Sequence, residues 1–136
     1  YLEGLPCREE YCIIGNKKGI KNPGSEEYQE YLTECFSKLD VLPEVFICAN
    51  DYVAFDVIRM FKKLGISVPK DVWICGFDDT MESQIMTPSL TTVHIHSHAM
   101  GNCAAYLLSS RIKEPSLCFR RMHTQAGMCY RETTED

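Results

Sequence analysis

What this chain lacks narrows it before any motif is read. No apolar stretch approaches the ~20 residues that a membrane-spanning helix needs. No charged-then-apolar leader stands at its start, so the expectation is a protein with no membrane partner and no export signal. Basic charge is scarce: 14 Lys and Arg against 19 Asp and Glu leave a net charge of −5. A domain that grips nucleic acid unaided carries a basic patch. The only dense basic cluster here is Arg120-Arg121, read as a solvated strand edge. The spacing C-x-x-C is absent although the chain has 8 cysteines, which weakens zinc-knuckle and thioredoxin-like readings. Nucleophile elbow, phosphate loop and H-E-x-x-H are missing too, and there is no internal repeat. The expectation is a protein that is not an enzyme and needs no metal or cofactor.

What is present is ordinary globular material. The chain has 136 residues, 45% hydrophobic and 24% charged, enough for one domain with a core. It opens on Tyr1 and not on Met, as expected for a piece of something longer. Cys48 and Cys75 sit inside apolar runs, where Cys acts as a small hydrophobe. All eight cysteines are expected to be reduced thiols of a cytoplasmic protein.

The apolar pattern alternates between strands and helices. Residues 1–10 read as a helix tail and polar loop, 10–15 ("EYCIIG") as a short strand, and 16–24 as loop. Ser25 caps a helix with Glu26 and Glu27 in its first turn. Tyr28, Leu32, Cys35, Phe36 and Leu39 recur on it at helical period. "VFICA" (45–49) is a strand, 51–64 a helix stopped by Gly65, and "VWICGF" (72–77) a strand. "LTTVHIHS" (90–97) reads as extended. A helix follows over 100–112, with Met100, Cys103, Ala104, Leu107 and Leu108 on one face. Short extended pieces at 118–123 and 127–131 close the chain. Short apolar strands alternating with helices predict an α/β domain with a parallel sheet flanked by helices.

In such a sheet, ligands bind beyond the carboxyl ends of the strands. Two polar pairs fall there: Asn50-Asp51 and Asp78-Asp79. A carboxylate accepts from neighbouring hydroxyls, and an amide both donates and accepts, which suits a polyol. The competing explanation is helix capping at Asn50 or Asp51 and a turn at Asp79. In "HIHSH" (94–98) three histidines would share one face of a strand. No carboxylate or Cys ligand is local, so a metal there is not expected. The acidic pair also lies too late in the chain for a phosphoacceptor receiver. On the helix 51–64, Val53, Val57, Met60, Phe61 and Leu64 form one apolar stripe. Phe55 falls opposite, among Asp56, Arg59, Lys62 and Lys63, as an interface anchor would.

The stretch "FICANDYVAFDVIRMFKKLGISVPKDVWICGFDDT", then "TPSLTTV", "MGNCAAYLLSSRI" and the closing "YRETT", resembles the effector-binding domain of LacI-type transcriptional regulators. The match is specific over residues 43–112 and looser on either side. The resemblance implies two α/β lobes with a ligand cleft between them, as in periplasmic sugar-binding proteins. Residues 1–136 would then be a partial effector-binding domain, truncated at its N-terminus and mostly C-terminal lobe, with about 94–115 crossing toward the other lobe. It implies a homodimer, a small-molecule effector (a sugar or sugar derivative), and operator DNA bound only through a missing N-terminal helix-turn-helix domain. Asn50 and Asp78 match the positions that touch effector, and Asp79 becomes structural. A polar residue usual two positions after the "TTV" Val is here Ile95, and Ser97 is the next position on that strand face. Phe55, with Ile85 and Met86, matches the dimer interface. The runner-up reading is a sugar-binding protein of a transport system with the same fold.

Overall fold

A computed structural model of the chain describes residues 11–13 and 23–135. Helix α1 (Glu26–Phe36) leads into strand β1 (Val45–Ile47), helix α2 (Asp51–Leu64) and strand β2 (Trp73–Asp78). A short helix α3 (Met81–Ile85), strand β3 (Thr91–Ile95), a long helix α4 (Ser97–Lys113) and strand β4 (Ala126–Cys129) follow, with a 3-10 turn over Glu132–Thr134 at the end. The sheet order is β1-β2-β3-β4. The first three strands are parallel, with Ile47 opposite Cys75 and Cys75 opposite Thr91. The parallel expectation needs one correction: β4 runs antiparallel to β3.

Local chemistry fixes the helix ends. The Ser25 hydroxyl accepts from the Tyr28 N–H at 3.2 Å to start α1. Asn50 Oδ1 accepts from the Val53 N–H at 2.9 Å to start α2. Lys62 and Lys63 lie in the last turn of α2, and Gly65, at φ 75°, turns the chain out. The core lies where α1, α2 and the sheet meet. Phe36, Phe46 and Phe61 pack edge-on or tilted with ring centroids 4.9–5.6 Å apart. Leu32, Val57, Met60, Ile74 and Leu90 close around them. Each fully buried side chain of this kind is worth about 1.5–3 kcal/mol.

The stripe expected on α2 is also corrected. Leu64 is 49% exposed, while Ala54, Ile58 and Asp56 are buried. The helix is covered by the sheet and by α1 as well, and a wheel that assumes one buried face misses the second. Gln29 of α1 reaches across to Asp56, donating to Oδ1 at 2.9 Å and to the carbonyl at 3.0 Å. The Gly24 N–H donates to Asp56 Oδ2 at 2.6 Å.

Other boundaries move. Helix α4 starts at Ser97 and not at 100, and none of its residues is buried. Of its expected apolar face, Cys103 and Leu107 are half-buried and the rest exposed. Residues 118–123 form no strand. The helix tail expected over 1–10 and most of the expected strand 10–15 lie outside the described residues, and residues 11–13 contain no strand. No helix among the described residues is long and apolar enough to cross a membrane. The seven described cysteines are free thiols, and Cys7 lies outside the description. Burial pushes the Cys48 thiol up to about 12.

Candidate functional site at the carboxyl edge of the sheet

Because β1, β2 and β3 are parallel, their carboxyl ends share one edge. Asn50 stands three residues beyond β1, Asp78 is the last residue of β2, and Ser97 stands two beyond β3. The fold therefore brings the three expected ligand residues to the same edge. Asn50 is half-buried and its Oδ1 is committed to the α2 cap. Its Nδ2 has no partner among the described residues. With Tyr52, Phe55 and Arg59 it lines an open cavity of about 440 Å³ that neither Asp78 nor Ser97 reaches.

Asp51 is neither exposed nor a simple cap. It is fully buried and ties three elements together. Its Oδ2 accepts from the Thr80 N–H at 2.8 Å and the Thr80 hydroxyl at 3.1 Å. Its Oδ1 accepts from the Thr92 hydroxyl at 2.6 Å. The close approach explains Gly76 on β2: a Cβ there would lie 2.3 Å from Asp51 Oδ1.

Asp78 and Asp79 both adopt positive φ, at 110° and 54°. Asp tolerates the left-handed region better than most residues, yet such positions cost on the order of 1–3 kcal/mol each and persist only where the surroundings impose them. The Asp78 side chain is exposed and has no hydrogen-bond partner among the described residues. Asp79 is the opposite case, with its side chain only 8% exposed. Its Oδ1 accepts from Arg131 Nη2 at 2.5 Å, and its Oδ2 lies 2.8 Å from His94 Nδ1. The Cys129 thiol approaches Oδ2 at 3.7 Å. Burial pushes the Asp79 carboxyl up, but the hydrogen bonds and charges of Arg131 and His94 outweigh it, and the net displacement is below the ordinary carboxylate value.

Two expectations about β3 are overturned. The strand ends at Ile95, so Ser97 is not the next position on its face; it is exposed in the first turn of α4. The three histidines do not share a strand face either. His94 is on β3, His96 is the N-cap of α4, and His98 lies within it. The chain bends at His96, where φ is −77° and ψ 68°. Among the described residues no group of three His, Cys, Asp or Glu could hold a metal ion.

The expected interface residues divide. Ile85 is 76% exposed at the end of α3. Phe55 is only half-buried and not fully exposed as the wheel implied. It packs against the core, edge-on to Tyr52 with centroids 5.7 Å apart. Met86 is half-buried against the same core.

Sequence reasoning missed Arg131 and the buried threonines. Arg131 Nη1 also donates to the Leu90 carbonyl at 2.8 Å and to the Ser83 hydroxyl at 3.1 Å. Thr133 is fully buried; its hydroxyl donates to the Ile74 carbonyl at 2.8 Å and accepts from the Thr91 N–H at 2.8 Å. The available signal was a polar "RETT" directly after the apolar "GMCY", where a solvated tail would not need so specific a set of donors.

The family model of the periplasmic binding protein-like domain matches residues 4–134. The chain is similar to the HTH-type transcriptional regulator GalR of Lacticaseibacillus casei, 34% identical over 106 residues. That alignment takes in 77% of this chain and 32% of GalR, so the chain spans about a third of that relative's length. Among solved structures it is similar to a LacI-type transcription regulator from Bifidobacterium animalis subsp. lactis, with a TM-score of 0.70 and 28% identity. That match covers 80% of this chain and 39% of the other. It is also similar to a LacI family transcriptional regulator from Enterococcus faecium with bound ribose, with a TM-score of 0.67 and 26% identity. Here 82% of this chain and 41% of that one are covered.

Proposed function

This chain belongs to the periplasmic binding protein-like family, in the form carried by LacI-type transcriptional regulators, and from that premise we propose that it is the effector-sensing and dimerising part of such a regulator. Its ligand on this reading is a sugar or sugar derivative held by Asn50, Asp78 and Ser97. Operator DNA is gripped by an N-terminal helix-turn-helix domain outside this chain, and the regulator works in the cytoplasm. Residues 94–115 lead toward a second lobe that supplies the other wall of the cleft. The absence of any buried residue on α4 supports this, since a helix normally covers an apolar face. Dimerisation uses the surface that carries Phe55, Ile85 and Met86.

The observation that carries the proposal is Asp78. An exposed carboxylate with no partner among the described residues, at the end of the second parallel strand and in a costly backbone conformation, is of little use to stability. It is well suited to accept hydrogen bonds from vicinal hydroxyls. Asn50 Nδ2 adds a donor on the neighbouring strand end, and the ribose bound by the Enterococcus faecium relative supports the ligand class. Calorimetric titration of the full-length protein with ribose and a panel of other sugars tests the proposal. Asp78→Ala should weaken the sugar bound best by about 1.5–3 kcal/mol, the scale of a hydrogen bond to a charged group. Unchanged affinity would remove Asp78 from the site.

A further inference from the structure

We infer that Arg131, with His94, is a positioning residue for the effector: by clamping Asp79 it sets the direction in which Asp78 presents its carboxylate. The inference rests on the sugar-sensing reading for its consequence, but its geometry stands on its own. Among the described residues nothing holds Asp78 through its side chain, and yet its φ is 110°. The β2–β3 ladder, where Asp78 pairs with His94, constrains it from one side, and the residues that follow it constrain it from the other. Residues 79 and 80 are pinned from three directions. From β3, His94 meets Asp79 Oδ2 at 2.8 Å, and the Thr92 hydroxyl accepts from the Asp79 N–H at 3.4 Å. From α2, Asp51 holds both the N–H and the hydroxyl of Thr80. From the C-terminal segment, Arg131 donates to Asp79 Oδ1 at 2.5 Å.

Arg131 is suited to this because its own position is fixed. One guanidinium nitrogen donates to the Leu90 carbonyl and Ser83 hydroxyl while the other meets Asp79. A planar fork does both at once, whereas an ammonium on a flexible stem holds one partner well. Releasing Asp79 lets the peptide between Asp78 and Asp79 relax toward extended backbone, which swings the Asp78 carboxylate away. A C-terminal residue 53 positions after Asp78 would then govern a ligand contact that it does not make.

The test is a double-mutant cycle in the full-length protein with ribose as the probe. Arg131→Gln should weaken binding at least about ten-fold in the wild-type background and less than about two-fold in an Asp78→Asn background. Arg131→Lys should fall between wild type and Arg131→Gln. Additive losses would mean that Arg131 does not act through Asp78. A second arm needs no ligand. Hydrogen exchange over residues 78–80 should speed at least about ten-fold in Arg131→Gln while the interior amides of α2 keep their rates. Unchanged exchange at 78–80 would overturn the clamp. If wild-type protein does not bind ribose, ribose is not its effector, the sugar panel decides the sugar reading, and the exchange arm alone decides the clamp. If Arg131→Gln does not fold, Asp79→Asn replaces it in both arms, with the same expected and overturning results.

Discussion

Two adjacent aspartates of the same type take opposite roles here, and the difference comes from partners. Asp78 ends β2 with an exposed carboxylate; Asp79 is nearly buried between Arg131 and His94. The sequence shows both at a strand end, where either could bind a ligand or make a turn. Which one is held was not legible in the local residues, because the deciding cation lies 52 positions later. Only the family resemblance separated them. Asp79 also gives the molecule a pH signature. Its folded carboxyl titrates below the ordinary value, so its contribution to stability is complete above the unfolded pKa, near 3.9. The contribution is lost as pH falls through the lower folded value. Glu132 adds to the same trend, its carboxyl lowered by the backbone N–H and hydroxyl of Ser89. Asp79→Asn should therefore be less stable than wild type at pH 7, and the gap should narrow below about pH 4. Urea denaturation at a series of pH values reads this directly; a gap that stays constant with pH would show that Asp79 carries no ionic stabilisation.

Elements with strong end signals were legible to the residue. Helix α2 runs over Asp51–Leu64, the span that the strand end before it and Gly65 predict, and α1 starts after Ser25 as its first-turn acids require. Elements were misread where one period imitates another. Alternating histidines imitate a strand, and so the end of β3 and the start of α4 were placed too late. Burial on two faces was invisible to a wheel, because α1 supplies the second contact surface of α2 from elsewhere in the chain. The C-terminal turn was the least legible element. Its worth lies in single hydrogen bonds to distant backbone, which leave no periodic trace. Thr133 is the clearest case, since its hydroxyl stitches the turn to both β2 and β3. Thr133→Val keeps the shape and removes the hydroxyl, leaving the Thr91 N–H buried without an acceptor. The cost of such an orphan is about 1–3 kcal/mol, to be seen as a lower urea midpoint with an unchanged slope. A loss below about 0.5 kcal/mol, within the range of ordinary surface substitutions, would mean that the hydroxyl is not what fastens the turn.

At the scale of the whole molecule the question is which apolar surface would pair with a second copy in the proposed dimer. The bond from Thr80 to Asp51 holds the start of α3 against the first turn of α2. Tyr52 on α2 is 50% exposed, Met81 and Ile85 on α3 are each 76% exposed, and Phe55 is half-buried edge-on to Tyr52. A two-fold axis through this surface would desolvate both copies of the patch at once. Arg59, Lys62 and Glu82 are exposed on these same helices and would supply a charged rim. Because Phe55 is already partly covered by its own chain, it gains less on association than a fully exposed ring, whose complete burial is worth roughly 1.5–3 kcal/mol. Ile85 gains more, so a charge there should do more damage. The other face of the sheet complicates any measurement on this chain alone. Val45, Ile47, Trp73, Phe77 and Met128 are all exposed, and association through them would mask the helical contact. The measurement therefore belongs to the full-length protein, by sedimentation at about micromolar concentration, where a stable dimer stays associated. Ile85→Glu should convert dimer to monomer. Phe55→Glu should weaken the dimer by a smaller factor, and Leu64→Glu, on an exposed position at the far end of α2, should leave it intact. If Ile85→Glu and Phe55→Glu both remain fully dimeric, the two copies meet through some other surface.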